Sequence, residues 1–118
     1  MPVRSLNSSV LRWPDAQAVK EAFRLWAKKI VHNDPNVVRV GYFGSYARGD
    51  AGPGSDIDIV IIVKNADKPF SRRGADWDLT SLPIPADVLV YTSLEWSELE
   101  EHSGMGRILR NETIWHNN

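Results

Sequence analysis

Apolar residues at Val19, Phe23, Trp26 and Ile30 recur at the spacing of one helical face. Pro14 suits the first position of that helix, and Asp34-Pro35 breaks it. Lys28 and Lys29 near its end oppose the helix dipole and read as solvated charges, not a binding patch. The pattern then shortens. Val37 to Phe43 reads as a strand, and Asp56 to Val63 as a second, almost wholly apolar one. Ala86 to Tyr91 forms a third, entered from a loop carrying Pro83 and Pro85. Thr92 with Glu95 is a candidate capping box for a helix through about Glu101, which Ser103-Gly104 ends. Met105 to Arg110 fits another short helix, and Thr113-Ile114-Trp115 a short final strand. This order of helices and strands predicts an α/β (α+β) domain spanning residues 1–118, with no repeat or linker.

One strand carries a polar anomaly. Asp56 and Asp58 open an otherwise apolar run, and residues i and i+2 of a strand point to the same face. Two carboxylates held together repel unless a proton or cation lies between them. Oxygen-only ligands favour Mg²⁺ or Mn²⁺ over zinc. Taken alone, the pair fits equally well an exposed strand start with two solvated acids. The preceding residues change the balance. The first strand runs directly into Gly44-Ser45, where glycine permits a tight turn and serine offers a hydroxyl and an N–H to a phosphate oxygen. Gly49 to Ser55 is dense in turn formers and reads as a loop. It is not a Walker loop, because no lysine follows Gly54.

Gly44-Ser45-Tyr46-Ala47-Arg48-Gly49, followed by Ser55-Asp56-Ile57-Asp58, closely resembles the signature of the nucleotidyltransferase superfamily related to DNA polymerase beta. Among its branches the chain looks most like the minimal nucleotidyltransferases, small prokaryotic proteins often paired with HEPN-domain partners. The resemblance implies a short mixed β-sheet flanked by helices, and a third carboxylate on a later strand. Asp87 stands near the start of the third strand and takes that place. It further implies that Asp56, Asp58 and Asp87 bind two Mg²⁺ ions and that Gly44 and Ser45 hold the phosphates of a nucleoside triphosphate. Arg48 either contacts phosphate or braces the loop against an acid such as Asp50.

The implied reaction moves a nucleoside monophosphate, AMP from ATP foremost, onto a hydroxyl. A chain of 118 residues leaves little for a module that grips the acceptor, so docking of a protein partner or a second copy is expected. The branch implies a HEPN toxin as acceptor and an antitoxin role for this chain. Two other functions share the motif: a non-catalytic module that masks its partner, and an enzyme modifying a small molecule such as an antibiotic.

Composition adds exclusions. No cysteine is present, which suits a reducing, cytoplasmic setting. Met1 to Trp13 lacks a signal-peptide core, and no apolar run approaches membrane-spanning length. A net charge of −1 gives no general pull toward nucleic acid. His32, His102 and His116 lack metal-ligand spacing. Between Lys64 and Leu82 the pattern is weakest. Lys64 reads as a surface lysine, Arg72-Arg73-Gly74 as a candidate triphosphate clamp, and Trp77 as core more than a base-stacking platform. Trp13 and Trp115, near the chain ends, fit a partner surface or packing on the sheet equally well.

Overall fold

The computed structural model describes residues 13–102 and 104–116, and local chemistry accounts for where each element begins. Helix α1 spans Ala16–Asn33. Its N-cap is Asp15, whose carboxylate accepts the Ala18 N–H at 2.8 Å, so Pro14 lies one residue before the cap and not at the first helical position. Strand β1 (Val37–Phe43) leads through the single-turn helix α2 (Ser45–Arg48) to β2 (Ile57–Val63). A 3₁₀ segment, Phe70–Asp76, precedes β3 (Ala86–Thr92), and α3 (Ser93–His102), α4 (Gly104–Glu112) and β4 (Ile114–Trp115) complete the chain. The expected capping box is present: Glu95 accepts the Thr92 N–H at 2.8 Å, and the Thr92 hydroxyl accepts the Glu95 N–H at 3.1 Å. The readings placed on Met1 to Arg12 and on Ser103 fall outside the described residues.

The sheet is mixed, in the order β3-β2-β1-β4. β1 runs antiparallel to β2 and β4, whereas β2 and β3 are parallel. A parallel pair needs a crossover, and here the segment carrying the 3₁₀ turn supplies it in place of a long helix. Gly74 of that turn lies so close to β3 that an added Cβ would stand 3.0 Å from the Val88 carbonyl oxygen.

β2 is covered on both faces, which is why its sequence is apolar at successive positions. Ile57, Ile59, Ile61 and Val63 pack with Val19, Phe23, Trp26 and Ala27 of α1. Val60 and Ile62 pack with Trp96 of α3 and Leu109 of α4. Each fully buried aliphatic side chain contributes about 1.5–3 kcal/mol, so this strand anchors both layers. Asp58 is the single polar residue within it.

The tryptophans near the ends pack rather than project. The Trp13 indole donates to the Tyr46 hydroxyl at 3.4 Å. Trp115 meets Trp96 edge-on at 5.6 Å between ring centres, with the Arg39 guanidinium 3.7 Å above its ring. Trp77 is partly buried against the α1 layer, as the core reading expects. No helix among the described residues is long and apolar enough to cross a membrane.

Candidate active site

At the end of β1 the chain turns through Gly44 with φ 75° and ψ −148°. A side chain is strained at that φ, and no space exists for one, because a Cβ would collide with Oδ2 of Asp58. The room left by glycine is therefore the seat of the Asp58 carboxylate. Register explains the encounter. Asp58 pairs with Phe43, the residue before Gly44, on one side and with Asp87 of β3 on the other. The Ile57 N–H donates to the Pro85 carbonyl at 3.1 Å, which ties the two strand entrances together. Asp56 stands immediately before β2 and, like Asp87, is exposed, whereas Asp58 is half-buried.

These carboxylates act on one another. Burial raises the Asp58 carboxyl above its ordinary value, and the charges of Asp87 and Asp56 raise it further. Arg48 opposes the shift, and Glu112 adds slightly to it. As oriented here, no three His, Cys, Asp or Glu side chains among the described residues stand close enough to hold a metal ion. The donor set nevertheless fits a hard divalent cation: it is all oxygen, it bears excess negative charge, and two of its members are free in solvent.

The turn beside the acids is held from beneath. Ala47 and Arg48 donate their N–H groups back to the Gly44 carbonyl, each at 3.0 Å. Tyr46 is buried, and its hydroxyl donates to the Ser55 carbonyl at 3.4 Å. The loop closes on itself where the Gly52 N–H donates to Ser55 Oγ at 3.1 Å. Ser45 begins α2, and the first N–H groups of a helix have no acceptor within it.

Glu112 is the residue that sequence reading missed. Its Oε1 accepts the Gly44 N–H at 2.8 Å and Arg48 Nη1 at 2.7 Å. Arg48 also pairs with Asp50 at 3.3 Å, so its contacts with Glu112 and Asp50 are those of a brace. No local signal identifies Glu112, which lies 68 residues from Gly44 in the chain and meets it only because β4 pairs with β1.

Arg73 is not positioned as a clamp. Its guanidinium donates to the Val90 carbonyl at 3.1 Å and to Glu95 at 2.6 and 3.2 Å, while Nε donates to the Lys68 carbonyl at 2.8 Å. Val90 is three residues past Asp87, about 10 Å along the strand, toward the opposite end of the sheet. Arg72 and Lys64 are exposed, and neither His32 nor His116 joins a metal-capable group among the described residues.

Comparison with known proteins bears on the family and the fold. Residues 24–116 match a family model described as a nucleotidyltransferase domain. Among solved structures, one from Sulfolobus solfataricus at 1.40 Å resolution, described as a "putative nucleotidyltransferase", superposes with a TM-score of 0.59. The match covers 85% of this chain and 80% of that one at 19% identity, so it bears on the fold. No curated protein matches the chain.

Proposed function

The chain belongs to the nucleotidyltransferase domain family, and on that premise we propose that it transfers a nucleoside monophosphate from a triphosphate to a hydroxyl of a partner protein. The observation that carries this reading is the Asp58–Asp87 register beside the Gly44 turn. An acid in the central strand, flanked by a second acid and seated against a glycine, is poor design for stability and good design for binding cations.

Gly44 and Ser45 receive the β- and γ-phosphates at the turn, where Ser45 brings a hydroxyl and a first-turn N–H that its helix leaves without an acceptor. Asp56, Asp58 and Asp87 would hold Mg²⁺, or Mn²⁺ in its place. Bound there, a pair of divalent ions supplies charge stabilisation to both the attacking and the leaving oxygen of an in-line displacement. The acceptor hydroxyl oxygen bonds to the α-phosphorus, the bond to pyrophosphate breaks, and Asp87 takes the hydroxyl proton. Asp87 suits that task because its carboxylate is exposed at the strand entrance. ATP is the preferred donor, and the acceptor is a HEPN-type toxin, with this chain as its antitoxin. The likeness of residues 44–58 to minimal nucleotidyltransferases supports that partner class.

The test combines the protein with labelled nucleoside triphosphates, Mg²⁺ and a candidate HEPN partner, then weighs the intact partner. A mass gain of one nucleoside monophosphate, dependent on Mg²⁺, is expected. A partner that is silenced without any mass gain points to masking by binding and overturns the transfer reading.

A further inference from the structure

We propose that Glu112 is a positioning residue for the phosphates of the nucleotide, acting through the Gly44 N–H and Arg48. This rests on the reading of Gly44-Ser45 as the triphosphate turn. One carboxylate oxygen accepts both the Gly44 N–H at 2.8 Å and the Arg48 guanidinium at 2.7 Å. Gly44 is buried, so its N–H has no ready substitute partner in water.

The backbone around Glu112 is fixed from both sides. Behind it, Leu109 of α4 is fully buried, and its carbonyl accepts the Thr113 N–H at 3.1 Å. Ahead of it, Ile114 pairs with Tyr42 and Trp115 with Gly41, while the His116 N–H donates to the Val40 carbonyl at 2.8 Å. The approach is close enough that a Cβ on Gly41 would stand 2.7 Å from the Thr113 methyl and 2.8 Å from the Trp115 ring. The C-terminal helix and strand thus form the rear wall of the turn, and Glu112 is the bond between them.

The arrangement also gives Arg48 its task. The guanidinium offsets one of the two negative charges of Glu112 and Asp50, which lessens the repulsion between the Glu112 carboxylate and an anion at the turn. Because the Glu112 side chain is only 19% exposed and its backbone is anchored, it acts as a fixed support and not as a stand-in that phosphate displaces.

Calorimetric titration of Mg-ATP and of Mg-tripolyphosphate into the wild type, Glu112→Ala, Glu112→Gln and Arg48→Gln tests the assignment. Glu112→Ala is expected to weaken both ligands about tenfold, the loss of a charge-assisted hydrogen bond. Glu112→Gln retains an oxygen acceptor for the Gly44 N–H and should recover most of that loss. Arg48→Gln should also weaken both ligands, because it leaves the Glu112 carboxylate uncompensated beside the phosphates. Unchanged or tighter binding by Glu112→Ala overturns the proposal, as does a loss confined to ATP or unchanged binding in Arg48→Gln. Should Glu112→Ala fail to fold, Glu112→Gln alone decides: near-wild-type affinity supports the role, and a tenfold loss contradicts it. A wild type that binds neither probe defeats the triphosphate reading itself, and this one with it. A wild type that binds both, beside unaltered variants, defeats this one alone.

Discussion

Asp58 of β2 lies directly opposite Asp87 of β3 in a parallel register, and the residue opposite Asp58 on its other side leads straight into Gly44. Three strand positions that are distant in sequence thereby put two carboxylates and a side-chain-free turn into one neighbourhood. The raised Asp58 carboxyl records the electrostatic cost, with burial the largest cause and the Asp87 and Asp56 charges next.

That cost predicts a gain in stability without metal. A carboxyl whose folded value is raised makes the native state hold its proton more tightly than the unfolded chain does. Its contribution to stability is therefore lost as pH rises from the ordinary value of 3.8 through the raised one. Asp58→Asn should melt a few degrees above the wild type in EDTA at pH 7, and the difference should shrink toward pH 4. Melting curves across that range check the sign. A variant that melts lower at pH 7 contradicts it.

Gly44→Ala should damage both fold and site. The positive φ costs about 1–3 kcal/mol for a residue with a Cβ, and the methyl must also push the Asp58 carboxylate aside. Urea denaturation measures the first effect and nucleotide titration the second. Unchanged values in both would mean that the turn tolerates a side chain and does not seat the acid.

Sequence pattern reached far into this site because its parts are local or periodic. The i, i+2 spacing of Asp56 and Asp58 and the glycine after β1 are each readable within a few residues, as is the Thr92–Glu95 box. Asp87 was reached through a family likeness, since an acid near a strand start carries little information alone. Glu112 was out of reach because its role depends on the β1–β4 pairing, which no short pattern encodes. Arg73 misled for the same reason: a basic residue in a loop invites a ligand, and only the tertiary fold shows it bound to Glu95 and the Val90 carbonyl. Pro14 misled by one residue, because Asp15 supplies a stronger helix start.

The Arg73–Glu95 pair should behave as a structural lock. Hydrogen bonding to Arg73 leads in holding the Glu95 carboxyl at about 2, below its ordinary 4.5, and the Thr92 N–H contributes. A lowered folded value means that the stabilisation is complete above about pH 4.5 and fades as pH falls toward 2. Glu95 is 40% exposed, so solvent screening limits the worth of the pair to about 1 kcal/mol. Glu95→Ala should lose somewhat more at pH 7, about 2 kcal/mol, because it strips the mostly buried Arg73 of its partner and breaks the cap of α3. Urea titrations at pH 7 and pH 3 check this, with the deficit smaller at the lower pH. Nucleotide affinity should not change, since the lock lies away from the acids.

The central claim is that Asp58, with Asp56 and Asp87, couples a divalent cation to a nucleotide held at Gly44 and Ser45. Calorimetric titration of ATP into the wild type and Asp58→Asn, each in Mg²⁺ and in EDTA, tests it without any need to know the acceptor. The account predicts that the wild type binds ATP in Mg²⁺ and far more weakly in EDTA. It predicts that the folded Asp58→Asn loses at least about tenfold in Mg²⁺, the scale expected when a cation site loses an anionic ligand. Equal wild-type affinity with and without Mg²⁺, or an Asp58→Asn variant that binds as tightly as the wild type, would contradict the account.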